Sequence, residues 1–118
     1  MNNVLLIDDE EEMGTLVQAC LNQLGAKVHQ VRSVSEALAN AFEANVDLIL
    51  LDFALRDEDG LELLPRLRES PVLQGLPIIG FSVHESKKAA GLDAGLEGFV
   101  AKPFKVSHLR AAVKPFLR

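Results

Sequence analysis

Side chains capable of phosphoryl or metal chemistry follow four separate apolar runs in this 118-residue sequence. The carboxyl ends of parallel strands meet at one edge of an open α/β sheet, where ligands bind. If the four runs are such strands, these side chains share one site. They are Asp8 and Asp9 after residues 4–7, Asp52 after residues 48–51, Ser82 after residues 77–81 and Lys102 after residues 99–101.

Three carboxylates in one site repel one another, by about 4 kcal/mol per pair at a separation of ~4 Å and an effective dielectric near 20. Such a cluster needs raised pKa values or a bound cation, and an oxygen-only ligand set suits Mg²⁺. Lys102 and Ser82 add an ammonium and a hydroxyl. Together with a metal, these groups support the equatorial oxygens of a transferring phosphoryl group. Asp52 would then be the nucleophile and form an acyl phosphate.

Taken singly, these residues have ordinary explanations. An Asp at a strand end is commonly a turn former or a helix cap, and Asp8 and Asp9 could cap the first helix. Asp57 and Asp59 are expected to serve the turn that ends at Gly60. Only the joint pattern, in which each group follows a different strand, predicts a site.

The central strand of the predicted fold is residues 48–51, four consecutive apolar residues bounded by Asp47 and Asp52. A run of this kind is typical of a strand buried on both faces of a parallel sheet. Residues 26–31 alternate only weakly and predict a shorter edge strand. With the other runs, five strands alternate with five helices, which predicts a doubly wound three-layer α/β sandwich.

The helices are predicted from apolar spacing and from their end signals. Ser33 and Glu36 match a capping box at the start of the second helix. Pro65 fits the third helix only near its start, and Pro115 fits the fifth only at a frayed end. Residues 85–92 predict a weak fourth helix, interrupted by Gly91. The expected core positions are Met13, Leu16, Val17, Cys20, Leu21 and Leu24; then Ala37, Leu38, Ala41 and Phe42; then Leu61, Leu64 and Leu67; and finally Val106, Leu109, Val113 and Phe116.

Composition narrows the class of protein. A net charge of −5 and an apolar content of 48% indicate a globular domain without the basic face that direct nucleic-acid binding needs. The single cysteine, Cys20, excludes an internal disulfide framework and a cysteine zinc site. No apolar run approaches the roughly 20 residues that span a bilayer, and residues 1–4 do not resemble a signal peptide. We expect one domain over residues 1–118, located in the cytoplasm and without membrane contact.

The motifs, taken together and in order over the whole chain, resemble the receiver domain of two-component response regulators. The resemblance implies a flavodoxin-like sheet with strand order 2-1-3-4-5. It also implies that Asp52 accepts a phosphoryl group from a histidine kinase or a phosphotransfer protein. The matching motifs are Asp8-Asp9, Leu50-Leu51-Asp52, Asp59-Gly60-Leu61-Glu62-Leu63, Pro77-Ile78-Ile79 leading to Ser82, and Phe99-Val100-Ala101-Lys102-Pro103-Phe104.

The resemblance also implies individual roles. Mg²⁺ would be bound by Asp9, Asp52 and the backbone carbonyl of Ala54, with Asp8 acting largely through a bound water. Lys102 would pair with one phosphoryl oxygen and Ser82 with another. Ser82 and Phe99 would form the switch that reshapes a face made by the fourth helix, fifth strand and fifth helix. That face would bind a downstream effector domain or protein, or a second copy of the chain.

Three positions, residues 56, 83 and 99, depart from the pattern of that family, and the role of residue 84 is open. Arg56 stands where proline is frequent, so the loop after Asp52 is either more mobile or makes a specific contact. Val83 replaces a small residue and is expected to narrow access to Asp52. Phe99 lacks the hydroxyl of the commoner tyrosine. His84 either faces the phosphoryl site or is a loop histidine without a role.

Three other functions compete with this one. A haloacid-dehalogenase-type phosphohydrolase needs a second Asp two residues after its nucleophile, where this chain has Ala54. A flavodoxin-like FMN carrier needs a Ser/Thr/Gly-rich loop after the first strand, where this chain has Asp8-Asp9-Glu10-Glu11. A receiver-like interaction module that is never phosphorylated is the remaining alternative.

Overall fold

The computed structural model describes residues 2–40, 45–83 and 85–117, and five strands alternate with five helices within them. The strands are β1 (Asn2–Ile7), β2 (Ala26–Val31), β3 (Leu48–Asp52), β4 (Ile78–Ser82) and β5 (Gly98–Ala101). The helices are α1 (Glu11–Leu21), α2 (Val34–Asn40), α3 (Leu64–Glu69), α4 (Lys87–Asp93) and α5 (Val106–Val113). No helix of this described part is long and apolar enough to cross a membrane.

The strands form one parallel sheet with the order β2-β1-β3-β4-β5. This order and the three-layer sandwich confirm the predicted fold. β2 lies at an edge, as expected, but the expectation that it is short is wrong, since it has six residues like β1. All six residues of β2 pair with β1. On the other edge of the strand, the Gln18 side chain accepts a hydrogen bond from the Val28 N–H and donates one to the Ala26 carbonyl.

Alternate residues of the central strands enter two separate cores. In β1, Leu5 and Ile7 join a cluster with residues of α2 and α3, whereas Val4 and Leu6 join a cluster with residues of α1 and α5. Helices therefore cover both faces of the sheet. This double burial is why β3 is apolar along its length up to Asp52, which is where the strand meets the loop.

Two residues predicted to be in the core lie at the surface instead. Leu16 is 47% exposed, because the buried stripe of α1 runs through Gly14, Val17 and Leu21 and Leu16 flanks it. Val106 at the start of α5 is 42% exposed, since the buried contacts of that helix begin at Leu109. The other predicted core positions that the structure describes are buried or partly buried.

The predicted end signals hold, although two helices begin later than expected: α4 begins at Lys87 rather than at residue 85, and α3 is shifted as well. The Ser33 hydroxyl accepts a hydrogen bond from the Glu36 N–H at 3.0 Å, as a capping box requires. Pro65 lies in the first turn of α3, which begins at Leu64 rather than at Leu61. Pro115 lies in a 3-10 turn, Lys114–Phe116, that ends α5. Ala41, Phe42 and His84 lie outside the described residues.

Candidate functional site

Asp8 lies where β1 gives way to the loop before α1, and it is completely buried. One carboxylate oxygen, Oδ1, accepts a hydrogen bond from the Glu10 N–H at 2.9 Å. The other, Oδ2, accepts one from the Lys102 ammonium at 2.9 Å. Asp9, the next residue, is half-buried, and its Oδ2 accepts a hydrogen bond from the Arg56 N–H at 2.8 Å.

Asp52 is the last residue of β3 and is 3% exposed. Its Oδ1 accepts a hydrogen bond from the Ala54 N–H at 3.0 Å, and its Oδ2 accepts one from Lys102 Nζ at 3.2 Å. A carboxylate with so little access to water depends on such partners to remain charged. The sheet edge therefore presents Asp52 as a buried, doubly hydrogen-bonded carboxylate.

Lys102 follows β5 and reaches across the sheet edge to both buried carboxylates. The main-chain N–H of Lys102 donates a hydrogen bond to the Ser82 carbonyl at 2.8 Å, which fixes the start of the side chain beside β4. Its ammonium also lies 4.8 Å from the ring centroid of Phe81, within the range of a cation–π contact. One cation thus bridges Asp8 and Asp52.

Burial and charge act against each other on the pKa values at this edge. Burial raises the pKa of Asp52 above its ordinary value, while the Ala54 N–H and the Lys102 ammonium work in the lowering direction. Burial alone would lower the pKa of Lys102, but its hydrogen bond to Asp8 and the charge of Asp52 outweigh this and raise that pKa. Lys102 therefore stays protonated, and its positive charge is available to both Asp8 and Asp52.

The carboxylates of Asp8, Asp9 and Asp52 offer oxygens that all lie within 4.8 Å of one another. Three negative charges face a single ammonium here, so an excess of negative charge remains. A hard cation with oxygen ligands fits both the charge and the donor set, and Mg²⁺ is such a cation.

Ser82 is the last residue of β4 and is 1% exposed. It lies on the strand next to β3, where Asp52 is paired with Phe81. Ala54 is exposed and presents its N–H to Asp52. The structure therefore brings Asp8, Asp9, Asp52 and Lys102 into one cluster and places Ser82 and Ala54 at the same edge of the sheet.

Phe99 lies apart from this charged cluster. It is half-buried on β5 and packs against the core on the α2–α3 side of the sheet. Its ring centroid lies 6.0 Å from that of Phe53, with the planes tilted by 46°. Because Phe53 directly follows Asp52, a single backbone step separates the charged cluster from the residue that contacts Phe99.

Sequence reasoning missed two supporting side chains. The Gln30 amide donates to the main-chain carbonyls of Asp8 and Glu10, at 2.7 and 2.8 Å, and so holds the loop that carries Asp9. It can do so because residue 14 is glycine, where a Cβ would collide with Gln30 Oε1. Nothing in the spacing of Gln30 signals this role, since a glutamine in an edge strand usually faces solvent.

Glu58 is the second missed side chain, and it lies in the acidic loop after Asp52. Its two carboxylate oxygens accept hydrogen bonds from the Val34 N–H and the Ser35 hydroxyl at the start of α2, at 2.7 and 2.8 Å.

Asp59 serves the turn, as predicted, because its Oδ1 accepts a hydrogen bond from the Leu61 N–H at 3.0 Å. The main-chain N–H of Arg56 makes a specific contact with Asp9, which agrees with one of the two expectations for that position, and the mobility of the loop stays a prediction. Val83 is 59% exposed, and its narrowing of access to Asp52 stays a prediction.

Comparison with families of known proteins gives one clear match. The model of the response regulator receiver domain matches residues 4–114. The KDP operon transcriptional regulatory protein KdpE of Escherichia coli is 34% identical over 120 residues, which cover the whole of this chain and 52% of KdpE. The chain thus spans about half the length of the curated relatives it matches.

Solved structures agree with this match. The chemotaxis protein CheY4 of Vibrio cholerae superposes with a TM-score of 0.87 at 28% identity, over 99% of both chains. The receiver domain of the sensor histidine kinase PA1611 of Pseudomonas aeruginosa has a TM-score of 0.82 at 27% identity, over 98% of this chain and 96% of that one. In the PA1611 structure a magnesium ion is coordinated in the active-site cleft.

Proposed function

The chain belongs to the family of response-regulator receiver domains, and from that premise we propose that Asp52 is its phosphoacceptor. The observation that carries the proposal is the position of Asp52. It is the buried carboxylate at the end of the central strand, within 4.8 Å of two further carboxylates and bonded to Lys102. Accepting a phosphoryl group is the function of the family, and this geometry supplies the groups that it requires.

In the proposed reaction, a carboxylate oxygen of Asp52 attacks the phosphorus atom of a phosphohistidine. The new O–P bond forms as the P–N bond breaks, and the electron pair of that bond leaves with the imidazole. The product is an acyl phosphate on Asp52. Lys102 already donates to Asp52 Oδ2 at 3.2 Å, so a small movement brings its ammonium to a phosphoryl oxygen. The Ser82 hydroxyl would donate to another.

The donor set at the sheet edge fits Mg²⁺. Asp9, Asp52 and the backbone carbonyl of Ala54 would hold the ion, with Asp8 acting largely through a bound water. When bound, Mg²⁺ supplies positive charge that neutralises the oxygens of the transferring group. The residues themselves perform the remaining work: Lys102 keeps Asp52 oriented, and the surrounding core excludes bulk water from it.

The proposed partners follow from this role. A histidine kinase or a phosphotransfer protein would supply the phosphoryl group. The output would pass through the face formed by α4, β5 and α5 to an effector domain or protein, or to a second copy of the chain. The contact between Phe53 and Phe99 supports this direction of output, because it joins the residue after Asp52 to β5. The chain would act in the cytoplasm as a signalling domain and not as an enzyme that turns over an external substrate.

Acetyl phosphate with Mg²⁺ tests the acceptor directly. Intact mass spectrometry should show one added phosphoryl group, labile to base, and peptide mapping should place it on Asp52. Asp52→Asn should prevent the modification, while Asp57→Asn, an exposed carboxylate of the same loop, should leave it unchanged. Modification of Ser82, or equal labelling of the Asp52→Asn protein, would refute the assignment. An unmodified wild-type protein would favour a receiver-like module that is never phosphorylated.

A further inference from the structure

Asp9 is held differently from the other two carboxylates of the cluster. Asp8 and Asp52 are buried, and each accepts hydrogen bonds through both of its oxygens. Asp9 is half-exposed, and within the described part of the chain its side chain has one hydrogen-bond donor, the main-chain N–H of Arg56. Asp9 is therefore the carboxylate with the greatest freedom to move.

Repulsion within the cluster acts on that freedom. Before a cation binds, the charges of Asp8 and Asp52 favour rotation of the Asp9 carboxylate away from them into solvent. The Arg56 N–H opposes this rotation, because its 2.8 Å hydrogen bond to Oδ2 is made only while Asp9 faces the loop. A main-chain donor is well suited to the task, since it does not have to be ordered like a long side chain.

The loop that carries this donor is itself tied down at two points. At its base, the Gly60 N–H donates to the Phe53 carbonyl at 3.0 Å, and a Cβ at residue 60 would collide with the Asp52 carbonyl oxygen. Near its tip, Glu58 accepts hydrogen bonds from the Val34 N–H and the Ser35 hydroxyl. The position of the Arg56 N–H therefore depends on the start of α2.

We propose that the main-chain N–H of Arg56 is a positioning group that keeps Asp9 ready to bind the metal, and that Glu58 holds this N–H in place. The inference rests on the metal role given to Asp9 in the proposed function. The role is particular to chains that, like this one, lack the proline frequent at this position in the family, and the Arg56 side chain has no part in it. Groups that orient metal ligands from outside the site typically change metal affinity by 10- to 100-fold when removed.

Two variants of Arg56 separate the main chain from the side chain. Arg56→Ala removes the guanidinium and keeps the N–H, whereas Arg56→Pro removes both. Titration of the amide signals with Mg²⁺ alone should show an affinity about 10-fold weaker for the proline variant than for the alanine variant. Equal affinities in two variants with the same fold would overturn the inference.

Glu58 provides a second pair, which also decides the matter if Arg56→Pro does not fold. Glu58→Ala and Glu58→Gln lose the same charge, but glutamine can still accept from the Val34 N–H and donate to the Ser35 hydroxyl. Glu58→Ala should weaken Mg²⁺ binding several-fold, and Glu58→Gln should restore most of it. In the metal-free protein, the Arg56 amide should exchange with solvent faster in Glu58→Ala than in Glu58→Gln.

The outcomes distinguish a failure of the positioning role from a failure of the proposed function. If the wild-type protein binds Mg²⁺ and neither pair differs, the positioning role is wrong and the metal site stands. If the wild-type protein shows no Mg²⁺-dependent shift, the metal role of Asp9 fails and this inference fails with it. Labelling of Asp52 by acetyl phosphate, measured separately, shows whether the acceptor assignment survives.

Discussion

The two regions on either side of Asp52 are held together by different forces. The acidic edge, consisting of Asp8, Asp9, Asp52 and Lys102, is organised by charges and directed hydrogen bonds. The Phe53 junction, consisting of Phe53, Gly80, Gly91, Leu96 and Phe99, is organised by shape alone. A Cβ at Gly80 would lie 2.6 Å from the Phe53 ring, and one at Gly91 would lie 2.6 Å from Leu96 Cδ1.

The difference explains how one domain can combine chemistry with signalling. Charges tolerate small displacements and respond strongly to a new charge such as a phosphoryl group. A close-packed junction tolerates little displacement and therefore passes movement on to its neighbours. Asp52 and Phe53 are adjacent in sequence, so a change at the acidic edge reaches the junction through one peptide unit. The following predictions test each region against the other.

The largest effect is expected from Lys102→Met. Removing the ammonium leaves Asp8 and Asp52 buried without a cation, and breaking a buried pair in this way costs about 3–5 kcal/mol. The pKa of Asp52, already raised by burial, should rise further. A carboxyl whose pKa is higher in the folded state than in the unfolded state favours folding as the pH falls. The variant should therefore be more stable towards urea at pH 5.5 than at pH 7.5.

Lys105→Met is the matched control, because it removes the same charge from an exposed lysine near the same strand end. It should change the free energy of unfolding by less than 1 kcal/mol, the scale of exposed charges. A loss of stability in Lys102→Met no greater than in Lys105→Met would show that the acidic edge does not depend on its cation.

Asp9→Asn should act in opposite directions with and without Mg²⁺. In the metal-free protein it removes one of three repelling charges, so the melting temperature should rise slightly. With Mg²⁺ at 100 times its dissociation constant, the wild-type protein should gain about 2.7 kcal/mol. The variant should lose most of that gain. Glu12→Gln removes the same charge from an exposed residue of α1 and is the control for the loss of one negative charge. Equal Mg²⁺ stabilisation in Asp9→Asn and wild type would contradict the metal site.

At the Phe53 junction, Gly80→Ala should destabilise the protein by about 1–3 kcal/mol, since the new methyl group overlaps Phe53 and Leu96. Gly98→Ala is the control, because a Cβ there would meet Ile79 at an ordinary 3.6 Å. It should be neutral or slightly stabilising. Urea unfolding of both variants measures the difference. Equal effects would mean that the junction can relax and is not set by shape.

The same contrast decides what the sequence could predict. The acidic edge was predictable because Asp8, Asp52 and Lys102 follow apolar runs, and parallel strands must bring their ends together. The fold was predictable for the same reason, since doubly buried strands and amphipathic helices leave few other arrangements. Leu16 was placed wrongly because spacing gives a stripe without showing how wide its buried part is.

The groups that support the acidic edge could not be predicted from the sequence, for physical reasons. The Arg56 N–H and the Gln30 amide act on a loop that lies far away in sequence, and a main-chain donor has no residue type to reveal it. The tight packing of Gly80 and Gly91 against Phe53 depends on distances between elements. A glycine alone does not say which neighbour excludes its side chain.

Amide hydrogen exchange with and without beryllofluoride, a phosphoryl mimic, tests most directly whether Asp52 is coupled to the Phe53 junction. Bonding of Ser82 to the mimic should draw the loop after β4 towards Asp52, and Phe99 should repack against Phe53. Protection should therefore change within residues 85–104, by about 1–3 kcal/mol as for most allosteric pairs, and Asp52→Asn should show no change. Changes confined to residues 28–40, with α4 unaffected, would contradict the account.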